Sequence, residues 1–198
     1  MSNRSDNFNR ADTTNNINGP SDAGSSWSQL SGTWGISSNQ AYKSSTGSQE
    51  ICVLEANAAV VTLQVTLSFL TGGATDLGAV VRVSDNSNYI LAVYNHATST
   101  VAFYTNIAGS FTQLNSASPV AYAQGDVMVV DADAGDNLTM KKNGATVLTA
   151  TSSFNNTATK HGLRMNGDPA ASIGWDDFSI TDNTVVAASA ILMGQALL

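Results

Sequence analysis

The sequence predicts an all-β protein, a two-sheet antiparallel β-sandwich, and three observations carry the prediction. Thr, Ser, Asn and Val are abundant while only 12% of residues are charged, so the helix formers Glu and Lys are scarce. Val61, Leu63, Val65, Leu67 and Phe69 alternate with Thr62, Gln64, Thr66 and Ser68, the period of a half-buried strand. Asn143-Gly144 separates two further strand-like runs, and the central residues of a type I′ hairpin turn need positive φ, which Asn and Gly tolerate best. At 198 residues the chain has the size at which such sandwiches form one unit. Residues 1–182 are therefore read as one sandwich and 183–198 as an appended tail.

Along the first fifty residues Asn15-Asn16, Asn18-Gly19-Pro20 and Gly24-Ser25-Ser26 break up any long element. Short strands fit around 7–10, 32–37 and 40–44. The apolar run Ile51-Cys52-Val53-Leu54 encloses the single cysteine, which rules out an internal disulfide and predicts a buried, inert thiol. After the alternating strand, residues 77–84 and 88–95 flank Ser84-Asp85-Asn86-Ser87 as a hairpin. In its second arm Tyr89, Leu91 and Val93 back onto Ile90, Ala92 and Tyr94, so both faces are apolar and the strand is central or covered. Further strands are expected at 100–105, 111–114, 125–134, 137–142 and 145–150, with 162–165 and 173–181 closing the sandwich. From Thr184 to Leu198 there is no charge, and Val185, Val186, Ile191, Leu192, Met193, Leu197 and Leu198 need cover from the core or from another subunit. The tail is shorter than the ~20 apolar residues of a membrane span.

Several function classes are excluded at this level. The net charge is −7, and the eight Lys and Arg residues are scattered, so no basic stripe exists to neutralise nucleic-acid phosphates. The opening residues from Met1 to Asp6 are polar and lack the apolar core of a secretory signal, which predicts synthesis in a host cytoplasm without export by that route. Two glutamates, Glu50 and Glu55, would lie about 17 Å apart along a strand, against the roughly 5 to 5.5 Å of a retaining glycosidase pair. Asp131 and Asp133 share a strand face about 7 Å apart, which fits a calcium site, a marginal inverting pair, or carboxylates that solvate a hairpin turn at Gly135-Asp136-Asn137. The hairpin is the expected outcome. His96 and His161 sit on turn-like segments without ligand-spaced partners and are read as solvent-facing. No serine-nucleophile elbow, phosphate-binding loop or dinucleotide fingerprint occurs.

Four segments carry a family likeness: Asp6-Asn7-Phe8-Asn9-Arg10; Val80 through Tyr89; Leu138 through Gly144; and Gly162-Leu163-Arg164 followed by Trp175-Asp176-Asp177-Phe178-Ser179-Ile180. In their order and spacing the chain resembles the concanavalin A-like jelly-roll superfamily, in its laminin-G-like and phage or bacterial surface-protein branches. The resemblance implies two antiparallel sheets of six or so strands, first and last strands joined at one edge, and Phe8 and Phe178 closing the core. It further implies sugar binding or polysaccharide hydrolysis as activities to be tested, though the Glu-x-Asp-x-Glu strand of the superfamily's retaining glucanases is missing. It adds a structural calcium held by acids near the joined termini, here Asp6, Asp176 and Asp177; no other cofactor is called for. Aromatic platforms for sugar would come from Trp27, Tyr89 and Tyr94. Trp27, flanked by serines, is expected to be exposed, and Trp34 and Trp175 to lie in the core.

Together these readings predict a non-enzymatic structural or decoration protein of a phage particle, residing in the virion and docking on virion or self subunits through its tail as a homo-oligomer. The alternative is a soluble carbohydrate-binding module or adhesin that takes glycans, and a remoter one a glycoside hydrolase using Asp131 and Asp133.

Overall fold

The computed structural model describes residues 3–18, 26–45, 49–70, 76–166 and 173–184. Among them the chain forms strands and no helix: β1 (Arg4–Asp6), β2 (Ser28–Ser31), β3 (Trp34–Ser37), β4 (Gln40–Lys43), β5 (Glu50–Glu55), β6 (Val61–Leu70), β7 (Asp76–Asp85), β8 (Asn88–Asn95), β9 (Thr100–Ile107), β10 (Ser110–Ala117), β11 (Val127–Ala132), β12 (Asn137–Lys142), β13 (Ala145–Thr151), β14 (Lys160–Asn166) and β15 (Ile173–Asp182). They build two antiparallel sheets, one of eight strands in the order β13-β12-β11-β6-β15-β4-β3 with β1 also on β15, and one of seven in the order β10-β9-β8-β7-β14-β5-β2. Both exceed the expected six or so.

Alternation decides which residues meet between the sheets. Val61, Leu63, Val65 and Leu67 point inward and pack against Leu77, Ala79, Val81, Ile90, Ala92 and Leu163 of the facing sheet. As expected, Trp34, Trp175 and Cys52 are wholly buried, and burial pushes the Cys52 thiol up. Strand β8 is buried along its length on both faces, as its two apolar faces required. The hairpin at Asn143-Gly144 carries positive φ at both residues (50° and 83°), and Asn143 Oδ1 accepts from the Val127 N–H at 2.8 Å.

First and last strands do pair, with Asp6 opposite Phe178. Among the described residues β1 pairs with β15 alone and so forms the margin of the sheet at that level. β15 is interior, flanked by β6 on one side and by β4 and then β1 on the other. Phe8 and Phe178 close the core together with Trp27, which stands 5.9 Å from Phe8 and 4.8 Å from Phe178. A bulge at Asp176 and Asp177, the latter at φ 48°, lets both Trp175 and Phe178 face inward although they are three residues apart.

A second bulge, in β7, sends Arg82 toward the β11–β12 turn. Its guanidinium is buried and donates to Asp136 Oδ1 (3.1 Å), the Ser152 carbonyl (3.0 Å) and the Asp133 carbonyl (2.8 Å). One side chain thereby ties the two sheets at that end. Beside it His161 departs from the expected surface position. It is fully buried on β14, its Nε2–H donating to the Ala58 carbonyl (2.9 Å) and its Nδ1 accepting from the Arg82 N–H (3.3 Å). His96 is exposed.

The carboxylates near the β11–β12 turn serve the hairpin. Asp133 Oδ1 accepts from the N–H groups of Gly135 and Asn137, both at 2.8 Å, while Asp131 pairs with Thr62 Oγ1 (2.6 Å) and Lys141 (2.6 Å). The expected docking residues Val185, Val186, Ile191, Leu192, Met193, Leu197 and Leu198 lie outside the described residues.

Candidate functional site

The residues expected to bind ligand do not form a surface. Trp27 is 2% exposed, contrary to expectation, because its Nε1–H donates to Asp6 Oδ2 at 2.7 Å and its ring fills the gap between Phe8 and Phe178. Tyr94 is buried in the core against Tyr122, with ring centroids 5.0 Å apart. Tyr89 is buried as well, though its hydroxyl donates outward to Gln49 Oε1 at 3.2 Å. None of the three offers a face to a sugar.

The expected calcium ligands are not assembled either. Both Asp6 oxygens are taken by donors: Oδ1 by the Phe8 N–H and Arg10, Oδ2 by Arg10 and Trp27, at 2.7 to 2.8 Å. The bidentate Arg10 guanidinium supplies the positive charge that a cation would. Asp177 points to solvent, while burial raises the Asp176 carboxyl, with further help from the neighbouring charges of Asp177 and Asp6. Among the described residues no group of three or more His, Cys, Asp or Glu side chains is placed to hold a metal ion.

What the structure does build is a groove on the outer face of the seven-stranded sheet. Outward positions there come from every second residue, and they fall into cross-strand rows. One row runs Asn166, Asp76, Asn95, Thr100 across β14, β7, β8 and β9; the next runs Arg164, Gly78, Val93, Ala102. Gly78 keeps the second row low, since a Cβ there would meet the Ala92 carbonyl at 2.5 Å. Further along come Leu91 beside Tyr104, and then Tyr89, Asn106 and Phe111. The groove has a volume of about 450 Å³ and is lined by residues of these rows together with Gln49 and Thr98.

Its chemistry divides into two ends. At one, Asn95 Nδ2 donates to Asp76 Oδ1 at 2.7 Å and Asn166 Nδ2 to Asp76 Oδ2 at 3.4 Å, while Asn95 Oδ1 accepts from Thr98. At the other, Phe111 is 38% exposed, with Tyr89 and Tyr104 each 6.2 Å from its ring and the Arg164 guanidinium 5.6 Å away. Burial raises the Tyr89 phenol, and the positive Arg164 acts against that rise. The floor belongs to a second apolar cluster, Ile51, Val53, Val80, Val83, Tyr89, Leu91, Val93 and Ala102, all buried.

No protein-family model matches the sequence, and no curated protein matches it. Solved structures do match. A carbohydrate-binding module, CBM66 from Bacillus subtilis, superposes with a TM-score of 0.61 at 16% identity, covering 79% of this chain and 92% of that one. The Caenorhabditis elegans galectin LEC-6 gives 0.53 at 11% identity, covering 74% of this chain and all but a sliver, 99%, of its own. The fold is the concanavalin A-like jelly roll. The GH43 BlXynB protein from Bacillus licheniformis also matches, with a TM-score of 0.58 at 12% identity, but only over 38% of its length. At these identities the likeness is one of fold, a lectin-like sandwich.

Arg164, Asn166, Asp76, Asn95 and Phe111 were not legible in the sequence as a set. They are spread over four strands, with Arg164 and Asn166 sharing β14, and only the sheet register places them together.

Proposed function

We propose that the protein is a non-catalytic carbohydrate-binding module that holds a glycan in the groove of the seven-stranded sheet. The observation that carries this reading is the pairing of a hydroxyl- and amide-bearing row, Asn166, Asp76, Asn95 and Thr100, with the exposed ring of Phe111 in one open groove. Planar polar groups match sugar hydroxyls, and an aromatic ring matches the C–H face of a pyranose. The lectin-like fold and the names of its neighbours, a carbohydrate-binding module and a galectin, point the same way. Asp76 is the one carboxylate among the described lining residues, and its oxygens are engaged by Asn95 and Asn166, whereas glycoside hydrolysis ordinarily uses two carboxyl groups.

The test is isothermal titration of the protein with a panel of soluble glucans, xylans, galactans, mannans and fructans. At least one should bind, and Asn95→Ala or Asn166→Ala should weaken it about tenfold, the effect of one or two lost hydrogen bonds. A protein that binds none, or variants that bind as well as the parent, would overturn the assignment.

The chargeless, apolar composition of residues 184–198 supports a second role, docking the sandwich on a further copy or on another subunit of a particle such as a phage virion. Display of a glycan-binding sandwich on a particle accommodates both roles.

A further inference from the structure

One polar side chain at the aromatic end of the groove is poorly met. Asn106 lies on β9 between Tyr89 and Phe111 in a single cross-strand row. It is 1% exposed, and neither its amide nitrogen nor its amide oxygen makes a hydrogen bond of good geometry. The Tyr89 hydroxyl lies close to the amide but is directed to Gln49, and Arg164 approaches the same hydroxyl from β14. Buried carboxamides almost always satisfy both ends, because leaving them dry costs the full desolvation of each.

Phe111 is the neighbour in that row which reaches solvent. It stands on β10, an edge strand, directly after the turn at Ala108 and Gly109, both at positive φ. Its ring touches Tyr89, Tyr104 and the Arg164 guanidinium and belongs to neither apolar cluster. Displacing this ring would leave both apolar clusters with all their members.

We infer that Asn106 is the polar contact of a second glycan subsite, which continues the groove beneath Phe111 and opens when that ring turns outward against an incoming sugar. The inference rests on the groove being a glycan site. A carboxamide presents a donor and an acceptor side by side, the complement of two adjacent hydroxyls, and the guanidinium of Arg164 adds donors at the same place. The matching ligand is a neutral sugar residue with a free vicinal diol, further along the glycan from the unit held by Asn95 and Asn166.

The experiment is titration of the full chain with di- to hexasaccharides of whichever neutral polymer in the panel binds best, on the parent and on Asn106→Leu, which keeps the side chain's shape without its polar atoms. The parent should gain about tenfold in affinity at the chain length that reaches the second subsite. Asn106→Leu should lose that step, bind the shorter oligosaccharides unchanged, and melt at a higher temperature because the poorly met amide is gone. That pairing of higher stability with lost binding is not produced by a merely structural residue. If leucine strains the sheet, Asn106→Thr reads the same step with a smaller side chain suited to a strand. An unchanged step in the folded variant, or a parent with no step, would overturn the subsite and leave a buried amide met only by water. A parent that binds no polymer would overturn the groove assignment itself, and the subsite with it.

Discussion

Acidification should loosen this protein from about pH 6.5 downward, and His161 sets the window. Burial holds the ring neutral and lowers its pKa from 6.5 to about 4, an effect that the nearby Arg82 charge reinforces and the Ala58 carbonyl and Glu55 oppose. In the unfolded chain the ring takes up its proton near the ordinary value, so the unfolded state binds more protons than the folded one between those two values. The stability His161 contributes is whole above about pH 6.5 and is lost as pH falls toward about 4. A tenfold difference in proton affinity between the two states is worth about 1.4 kcal/mol, so moving from about pH 7.5 to about pH 5 should cost about 2 kcal/mol. Glu55, Asp126 and Asp133 are each held below the usual carboxylate range by hydrogen bonds and neighbouring cations, and their losses begin at lower pH. Urea denaturation at the two pH values measures the difference. His161→Gln supplies an amide that can donate to Ala58 and accept from Arg82 but does not titrate, and it should remove most of the dependence. Equal parental stability at both values, or the same slope in His161→Gln, would refute the claim that a buried neutral imidazole holds this end of the sandwich.

Asp6→Asn should lower stability by about 3 kcal/mol, near the low end of what removing one member of a buried ion pair costs, because Arg10 keeps some contact with solvent. A thermal melt within error of the parent would mean that packing alone holds Trp27. The proposed docking role requires the full chain to associate and a chain ended at Asp182 to be a monomer by light scattering. An unchanged particle size would exclude the tail as the docking segment.

The sandwich was legible because its strongest signals are local. The alternation through Val61 to Leu67, the two apolar faces of β8 and the Asn143-Gly144 turn each declare themselves within ten residues, and each stands in the structure as read. Partners distant in sequence were not legible. Trp27 looked like a loop residue among serines because its acceptor, Asp6, is 21 positions away. His161 looked like a turn residue because glycine follows it. The strand expected from Gly162 in fact begins at Lys160, and Gly162 is there because it approaches β5 closely, where a Cβ would fall 2.0 Å from the Cys52 carbonyl. The groove was hidden for a related reason. Period two tells which face a residue takes, but not that Asn166, Asp76, Asn95 and Thr100 will stand in line, which depends on the register of four strands.

The position of β15 also bears on how the protein reaches its native state. β1, β4 and β6 all pair with it, and Asn183 beyond its end bonds to Thr62 across 121 residues. On a ribosome those early strands emerge long before the strand that joins them. The seven-stranded sheet has the nested β7-β8-β9-β10 meander to start from, whereas the eight-stranded sheet closes only when residues 173–182 arrive and a large loop has been ordered. Until then the apolar face of β6 has no partner strand on the β15 side. Late closure with an exposed strand in waiting is the kinetic cost of this topology, and it leaves the growing chain open to aggregation until residues 173–182 have emerged.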